Sequence, residues 1–563
     1  MTTATSDARV PEAAEPATTG TLARRAAHPA RAIARAEAPL TAGTDQYMRR
    51  AAHAVASACL AELRESRGAV ADSRVLVLAG GGHNGGDALL AGALLARRGA
   101  RVEARLATDH PHGAALSRAR AAGVAVAGAP TPSPVGGGVA ADLVIDGLTG
   151  IGASGPLRPP AAALIAPLIA AGAPEERVFR VIAVDVPSGV GVDDGALPGP
   201  VLAADRTVTF TCPRGAHLLP PAAPLSGRVD VVDLGLPVPA GSEPLALVPD
   251  PALLAALLRA PGAADHKYTR GVVGLHAGSE AYPGAAVLAV SGAIRAGAGM
   301  ARIQAPRRAV DLVLVSRPEA VPATGRCQAI VVGPGTHRAD QPRAEELRGV
   351  LRAALRRGGG ERQWAVIDAG ALGLLPDLIA EGLVCGPEHV LTPHAGEAAA
   401  LLSGLGQPTT REEVEAAPAS AARGLAEATG ATVVLKAVPA LIARPGGGPL
   451  LSLDAGPGWL ATAGSGDVLA GALGAVLAAV RADRERGEGH QRGEPGIGAA
   501  GLPLGDAVAL AAAAAVRLHA DAGRLASGEG LGRGSEGRPI AALDVAEHLP
   551  RARQHLRAQG PRR

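Results

Sequence analysis

The sequence predicts an α/β protein in which two open, doubly wound sheets follow one another along the chain. Three observations carry this. Short apolar runs such as "RVLVLAG" (74–80) and "GVVGLHAG" (271–278) alternate with helical stretches such as "GGDALLAGALLARRG" (85–99), the pattern of strand–helix–strand units. The 563 residues exceed one domain. The Pro-rich "PVPAGSEP" (237–244) separates two such series.

The elements are expected in the following order. Residues 1–40, rich in Ala, Thr, Pro and Arg, read as a flexible tail. A helix follows from Asp45 through "YMRRAAHAVASACLAEL". "RVLVLAG", "RVEARLA", "ADLVIDG", "RVIAVDV" and "RTVTFTC" are strands of the first unit, 41–240, which closes near "DVVDLGLP" (230–237). The second unit, 245–555, takes its strands from "GVVGLHAG", "AIVVGPG", "WAVIDAG", "HVLTP" and "TVVLKAV". Its helices are "GAAVLAVSGAIRAGAG" (284–299), one opening within 461–480, and "DAVALAAAAAVRLHADAG" (506–523). The Gly- and charge-rich 484–501 reads as a disordered insertion.

Composition narrows the function. The chain is 47% hydrophobic and 19% charged, so it can bury a large core. A net charge of +3 argues against nucleic acid or an acidic membrane as partner. The four cysteines are widely spaced, which favours free buried thiols over disulfides or a zinc site. No segment reads as a membrane span or a secretory leader, so a cytoplasmic protein is expected. Only two lysines, Lys267 and Lys436, and one asparagine, Asn84, remain in an Ala-, Gly- and Arg-rich chain. Such survivors are candidates for positions where no other residue type serves.

In the first unit, "GGGHNGGD" (80–87) follows a strand and opens a helix, where open α/β sheets bind ligands. Glycines admit a phosphate to the helix amides, but they suit a bare strand–helix turn equally well. Asn84 adds an oxygen able to ligate a hard cation, as do Asp146 and Asp185 at other strand ends, the latter near Ser188. Strand-end aspartates also serve as turn caps. "HNGGD", "VIDGLTGIGASGPL", "IAVDVPSGV" and "ADRTVTFTCPRGAHLLPP" together resemble the YjeF N-terminal domain family, the Rossmann-like NAD(P)H-hydrate epimerases. The resemblance implies a potassium ion on Asn84, Asp146 and Ser188. It implies substrate contacts from His83, Asn84, Gly85, Gly86 and Asp87, and from Gly150, Ile151, Gly152, Ala153, Ser154, Gly155, Pro156 and Asp185. It makes Asp146 the acid/base. His83 and Ala88 depart from the family's NNGGDG. Arg214 stands where the family often has lysine, and an arginine cannot give up its proton at neutral pH.

In the second unit, "ATAGSGDVLAG" (461–471) delivers Asp467 to a helix start between Gly464 and the helix itself. Ribokinase-type sugar kinases use that arrangement to deprotonate a substrate hydroxyl. A carboxylate beside free helix amides suits proton removal during phosphoryl transfer; a plain N-cap is the simpler reading. Lys436 at a strand end suits phosphate oxygens, and His394 precedes a helix in "TPHAGE". "HKYTRG", "GSEAYPGAAVLA", "VVGPG", "TPHAGE", "VVLKAV" and "ATAGSGDVLAG", in this order, resemble the YjeF C-terminal family, the ribokinase-like ADP- or ATP-dependent NAD(P)H-hydrate dehydratases. The resemblance implies hydrate contacts from Ala285, Gly335, His394 and Asp467. It implies a nucleotide site of Lys436, Ala437, Val438, Pro439 and Ala440 with Gly464, Ser465 and Gly466, and a magnesium ion. "KAVPA" and "GPGTH" replace the family's KGxxT and GPGLG.

The implied activity is repair of hydrated nicotinamide nucleotides. The first unit interconverts the R and S hydrates. The second dehydrates the S epimer with ADP, giving AMP and phosphate. A homo-oligomer is expected. The alternative is a ribokinase-like small-molecule kinase with an inactive N-terminal binding domain.

Overall fold

In the computed structural model of this chain, residues 25–128, 141–239, 241–356, 362–489, 502–529 and 536–559 are described. Every run read as a strand forms one, and the two-sheet α/β class holds. The first sheet has seven strands, all parallel, in the order 125–128, 101–106, 74–79, 143–147, 180–184, 206–210, 228–232. The chain enters at 74–79, runs to one edge, and returns at 143–147 to build the other half. The turns after residues 79 and 147 therefore part at the topological switch, where a crevice opens beyond the strand ends. Alternate residues face opposite layers: Val75, Val77 and Ala79 pack with the 46–67 and 83–96 helices, Leu78 and Val144 with the 159–169 helix.

The second sheet has ten strands, in the order 26–27, 246–247, 450–453, 440–443, 432–435, 389–391, 364–367, 329–332, 272–276, 300–304. Strands 300–304 through 432–435 are parallel; 432–435, 440–443 and 450–453 form an antiparallel meander. Strands 125–128, 300–304, 440–443, 450–453 and the two edge pairs carry no signal in the sequence reading. Strand 125–128 is exposed or half-buried and 300–304 alternates, as strands at a sheet edge do, whereas 440–443 and 450–453 are wholly buried but are flanked by Pro439, Pro445 and Pro449.

Three expectations are corrected. Residues 25–40 are not a tail: Ala26–Ala27 pairs antiparallel with Ala246–Leu247, and helix Ala30–Thr41 follows. Ile33 is that helix's one fully buried large side chain, and the amide of Ala30 donates to Asp193 Oδ1 at 2.7 Å. Residues 1–24 lie outside the described residues. In the expected insertion, 484–489 prolong helix Ser465–Gly489, and 490–501 lie outside the described residues. Finally, Ser465–Gly487 is long and apolar enough to cross a membrane, with mean hydropathy 1.4, but 78% of its apolar window is buried. It is the central helix of the second unit, crossing helix Pro283–Ala296 so closely that a Cβ on Gly471 would stand 1.9 Å from the Ala289 carbonyl oxygen. Only glycine permits that approach, and it fixes where Asp467 sits.

The two units are joined beyond their linker. Ser452 Oγ donates to the Leu218 carbonyl at 2.6 Å, and Leu219 of the first unit is buried in the second unit's core.

Candidate active sites

At the first switch point, helix His83–Ala96 begins directly after strand 74–79 and carries Asn84 into the crevice. The Asn84 amide nitrogen donates to the carbonyls of Thr149 (3.0 Å) and Val184 (2.9 Å), tying three strand ends together. A side chain at Gly150 would collide with that amide, its Cβ lying 2.5 Å from Nδ2. Asp146 is fully buried; Oδ1 accepts from Ser188 Oγ (2.6 Å) and the Leu148 amide (3.3 Å), Oδ2 from the Ser188 amide (2.8 Å). Burial raises its pKa, against these hydrogen bonds.

Beside this knot lies a cavity of about 140 Å³, lined among others by His83, Asn84, Asp87, Ile151, Asp185 and Arg214. Asp146 is not among its lining residues. Of the loop 150–156, Ile151 reaches the lining, while Gly152 and Ser154 to Pro156 are exposed. Asp185, in the left-handed region at φ 68, accepts from Thr209 Oγ1 (2.8 Å) and from Arg214 through Nε and Nη2, both 3.0 Å. Both partners are almost wholly buried. The buried His217 Nδ1 accepts the Arg214 amide proton at 3.0 Å, so its Nε2 carries hydrogen and donates to the Asp185 carbonyl at 2.8 Å. Burial lowers its pKa to about 4, keeping it neutral. Asp87 Oδ1 is buried without a hydrogen-bond partner, and burial, then Asp185, raises its pKa well above the carboxylate range.

The cavity has a wall that the sequence reading missed. Glu37, from the supposed tail, lines it with Thr41, Thr44, Tyr47 and Met48. Thr211 Oγ1 donates to Glu37 Oε1 at 3.1 Å. The available signal was the apolar–acid spacing Ile33 to Glu37, one helical turn apart, obscured by the flanking Pro29 and Pro39.

The second site gathers at the carboxyl ends of the parallel strands. Lys436, after strand 432–435, donates from Nζ to Asp368 Oδ1 at 2.9 Å and lies 4.0 Å from Glu397. Burial alone would lower its pKa; the Asp368 and Glu397 carboxylates outweigh it and raise it. His394 bridges to Lys436 in the sheet, and its Nδ1 accepts from the Glu397 amide (3.1 Å) while the Glu397 carboxylate accepts from the His394 amide (2.9 Å). This reciprocal capping fixes the start of helix Ala395–Gly404. A Cβ on Gly466 would stand 3.7 Å from Lys436 Nζ, so the first turn of the central helix meets the lysine. Asp467 is half-buried; burial, then the Asp368 charge, raises its pKa to about 7 against the Lys436 charge. Gly335 and Ala285 are in direct contact, and Ser279 Oγ donates to the Gly335 carbonyl at 2.9 Å. Ala437 to Pro439 form the turn into strand Ala440–Ala443, with Val438 exposed.

Two residues here escaped the sequence reading. Asp368, after strand 364–367, is 2% exposed and also accepts from Thr392 Oγ1 at 2.7 Å. The strand-end "VIDAG" was its signal. His519 is buried, neutral with a pKa lowered to about 4 by burial, and its Nε2 lies 3.0 Å from the Ser465 carbonyl, holding the helix start. Lys267 does not join the site: it precedes strand 272–276, at its amino end, exposed and over the Tyr268 ring at 5.3 Å. Among the described residues no cluster of three His, Cys, Asp or Glu could hold a metal unaided.

Comparison with known proteins bears out the resemblance of both halves. The family model described as YjeF-related protein N-terminus matches residues 44–216, and that described as NAD(P)H-hydrate dehydratase matches 273–533. A protein of Mycobacterium tuberculosis, the bifunctional NAD(P)H-hydrate repair enzyme Nnr, is 42% identical over 79% of this chain and 88% of its own. Its counterpart in Mycobacterium leprae is 41% identical over 80% and 88%. The NAD(P)H-hydrate epimerase of Clavibacter michiganensis is 43% identical over 38% of this chain and 91% of its own. A solved structure of the ADP/ATP-dependent NAD(P)H-hydrate dehydratase of Bacillus subtilis, co-crystallized with ATP and Mg2+, is 25% identical over 54% of this chain and 96% of that one, with a TM-score of 0.41.

Proposed function

This chain belongs to the bifunctional NAD(P)H-hydrate repair family, and from that premise we propose that it epimerises R and S NAD(P)H hydrates in its first unit and dehydrates the S hydrate in its second, with ADP as phosphoryl donor. The domain boundaries of this reading are 41–240 and 245–555, with residues 25–40 serving the first unit. The observation that carries it is the cluster Asp467, Lys436, Asp368 and Glu397 at one set of strand ends.

In the dehydratase, Asp467 takes the proton of the ring hydroxyl. A base with a pKa of about 7 is half-ionised at neutral pH and strong enough to accept that proton. The hydroxyl oxygen attacks the terminal phosphoryl group as its bond to the departing AMP breaks. The phosphate then leaves with the C–O electron pair while the ring-nitrogen lone pair closes a C=N bond, and the neighbouring ring carbon loses its proton to restore the C=C. Lys436 exchanges its Asp368 contact for the donor's phosphate oxygens, and the helix N-terminus at Gly464 to Gly466 stabilises the charge that develops. Ala285, Gly335 and His394 bound the hydrate. A magnesium ion fits as a nucleotide-borne group: Glu397 and Asp368 offer one or two carboxylates, the usual protein share when phosphates and water supply the rest. When bound it neutralises phosphate charge.

In the epimerase, the knot around Asn84 fits potassium. An amide N–H now sits between the carbonyls of Thr149 and Val184. Turned over, the same amide presents Oδ1 to a cation between those oxygens, and the buried Thr149 Oγ1 lacks a partner. Asn84, Asp146 and Ser188 with these carbonyls would hold it, and it would supply positive charge beneath the substrate. We assign Asp146 to positioning Ser188 and the 148–149 turn rather than to proton transfer, because each of its oxygens is engaged. Residues 83–87, Ile151 and Asp185 bound the substrate. Four free cysteines support a reducing, cytoplasmic setting.

The test is a dehydratase assay on S hydrate with ADP or ATP. Recovery of NADH absorbance with no accumulating phosphorylated product is expected. A stable phospho-product would establish a kinase instead, and no activity with either nucleotide would defeat the reading.

A further inference from the structure

The epimerase cavity poses a question of proton ownership. Epimerising a ring hydroxyl on a carbon next to nitrogen needs a group that can donate a proton to the departing oxygen and then regain it. Asp146 is enclosed, with both oxygens hydrogen-bonded. Arg214 is charged throughout the accessible pH range and locked on Asp185. Asp185 is engaged by that same pair and by Thr209 Oγ1. Asp87 lines the cavity but is almost wholly buried, and its Oδ1 lacks a hydrogen-bond partner. Burial, then the Asp185 charge, raises its pKa well above the carboxylate range, which suits it to donating a hydrogen bond more than to cycling a proton.

Glu37 differs in each respect. It lines the cavity, is half-exposed, and uses Oε1 for Thr211, leaving Oε2 without a hydrogen bond among the described residues. Arg214 and Asp185 act on it from the far wall, Cys212 from the adjoining turn, and Asp87, His83 and Tyr47 share the lining. Burial raises its pKa above that of an ordinary carboxyl, with the Arg214 charge and the Thr211 hydrogen bond opposing it.

Resting on the epimerase reading above, we propose that Glu37 is the acid–base group of the first active site, supplied by a helix that precedes the domain itself. The protonated Glu37 gives its proton to the ring hydroxyl. The C–O bond breaks, its electron pair leaving on oxygen as water, and the ring-nitrogen lone pair closes a C=N bond. Water adds to the opposite face, forming the new C–O bond as the C=N pair returns to nitrogen. The proton it sheds passes through solvent back to the Glu37 carboxylate, which restores the starting acid. Asp185 and Arg214 hold the ring over this group, and Asp87 donates to its amide.

The experiment follows R-to-S equilibration of purified hydrate by full-length wild type, Glu37→Gln and Glu37→Asp across pH, with dehydration of S hydrate as the measure of intact folding. Glu37→Gln is expected to slow equilibration about 100-fold, to lose the wild-type pH dependence, and to dehydrate S hydrate at the wild-type rate; Glu37→Asp recovers part of the rate. Equilibration by Glu37→Gln within about threefold of wild type, with the same pH profile, would overturn the proposal alone. A wild type that does not outpace uncatalysed equilibration would overturn the epimerase reading along with it.

Discussion

Asp467 trades stability for basicity. Its folded pKa of about 7 lies above the ordinary 3.8, so the native state holds a proton that the unfolded chain releases between those values. Stability from this group is therefore full below about pH 4 and declines as pH rises toward 7. Asp467→Asn should raise the unfolding midpoint by about 2 °C at pH 8 and leave it unchanged at pH 4, by calorimetry. The same substitution should lower dehydration about 100- to 10,000-fold, and the wild-type rate should fall as pH drops below 7. Arg214 behaves oppositely. Its removal by Arg214→Met strands the buried Asp185 carboxylate, a loss of about 3–5 kcal/mol in the first unit, readable by urea unfolding.

At the scale of elements, turns govern the sites more than strands do. Gly464 sits at φ 87, and a Cβ there would lie 2.3 Å from Leu288 Cδ1. Gly464→Ala strains the backbone and displaces the first turn of the central helix, and kcat for dehydration should fall at least tenfold while the far-ultraviolet spectrum is unchanged. The parallel strands and their following turns were legible because apolar runs ended in Gly, Asp or His at the points where ligands bind. Asp368 was legible in kind, as a strand-end aspartate, but its partner Lys436 lies 68 residues away and no local pattern links them. Helix Ala30–Thr41 was illegible for a different reason. A single buried isoleucine is its one large core side chain, and two prolines bound or interrupt it, so periodicity has almost nothing to register.

The molecule as a whole is not two beads on a string. The backbone visits the second sheet at 26–27, builds the entire first sheet, then returns to the second sheet at 246–247. Cutting the 237–244 linker should leave two fragments that still co-elute on gel filtration. The Ala27 carbonyl accepts from the Leu245 amide (2.7 Å) and the Arg25 carbonyl from the Val248 amide (2.9 Å), and Ser452 and Leu219 add further contacts. The two-residue strand also sets a clock for the newly made protein. Ala26–Ala27 is translated before the whole of the first sheet, yet its partner strand follows roughly 220 residues later. At about 5–20 residues per second, that is a wait on the order of 10–40 seconds in which the first sheet is made and the helix after the strand is held only by first-unit contacts such as Ala30 to Asp193 and Thr211 to Glu37. A nascent chain halted at the linker should accordingly hold a folded first sheet with a reduced epimerisation rate, and the full rate should arrive as the second unit emerges and pairs with 26–27.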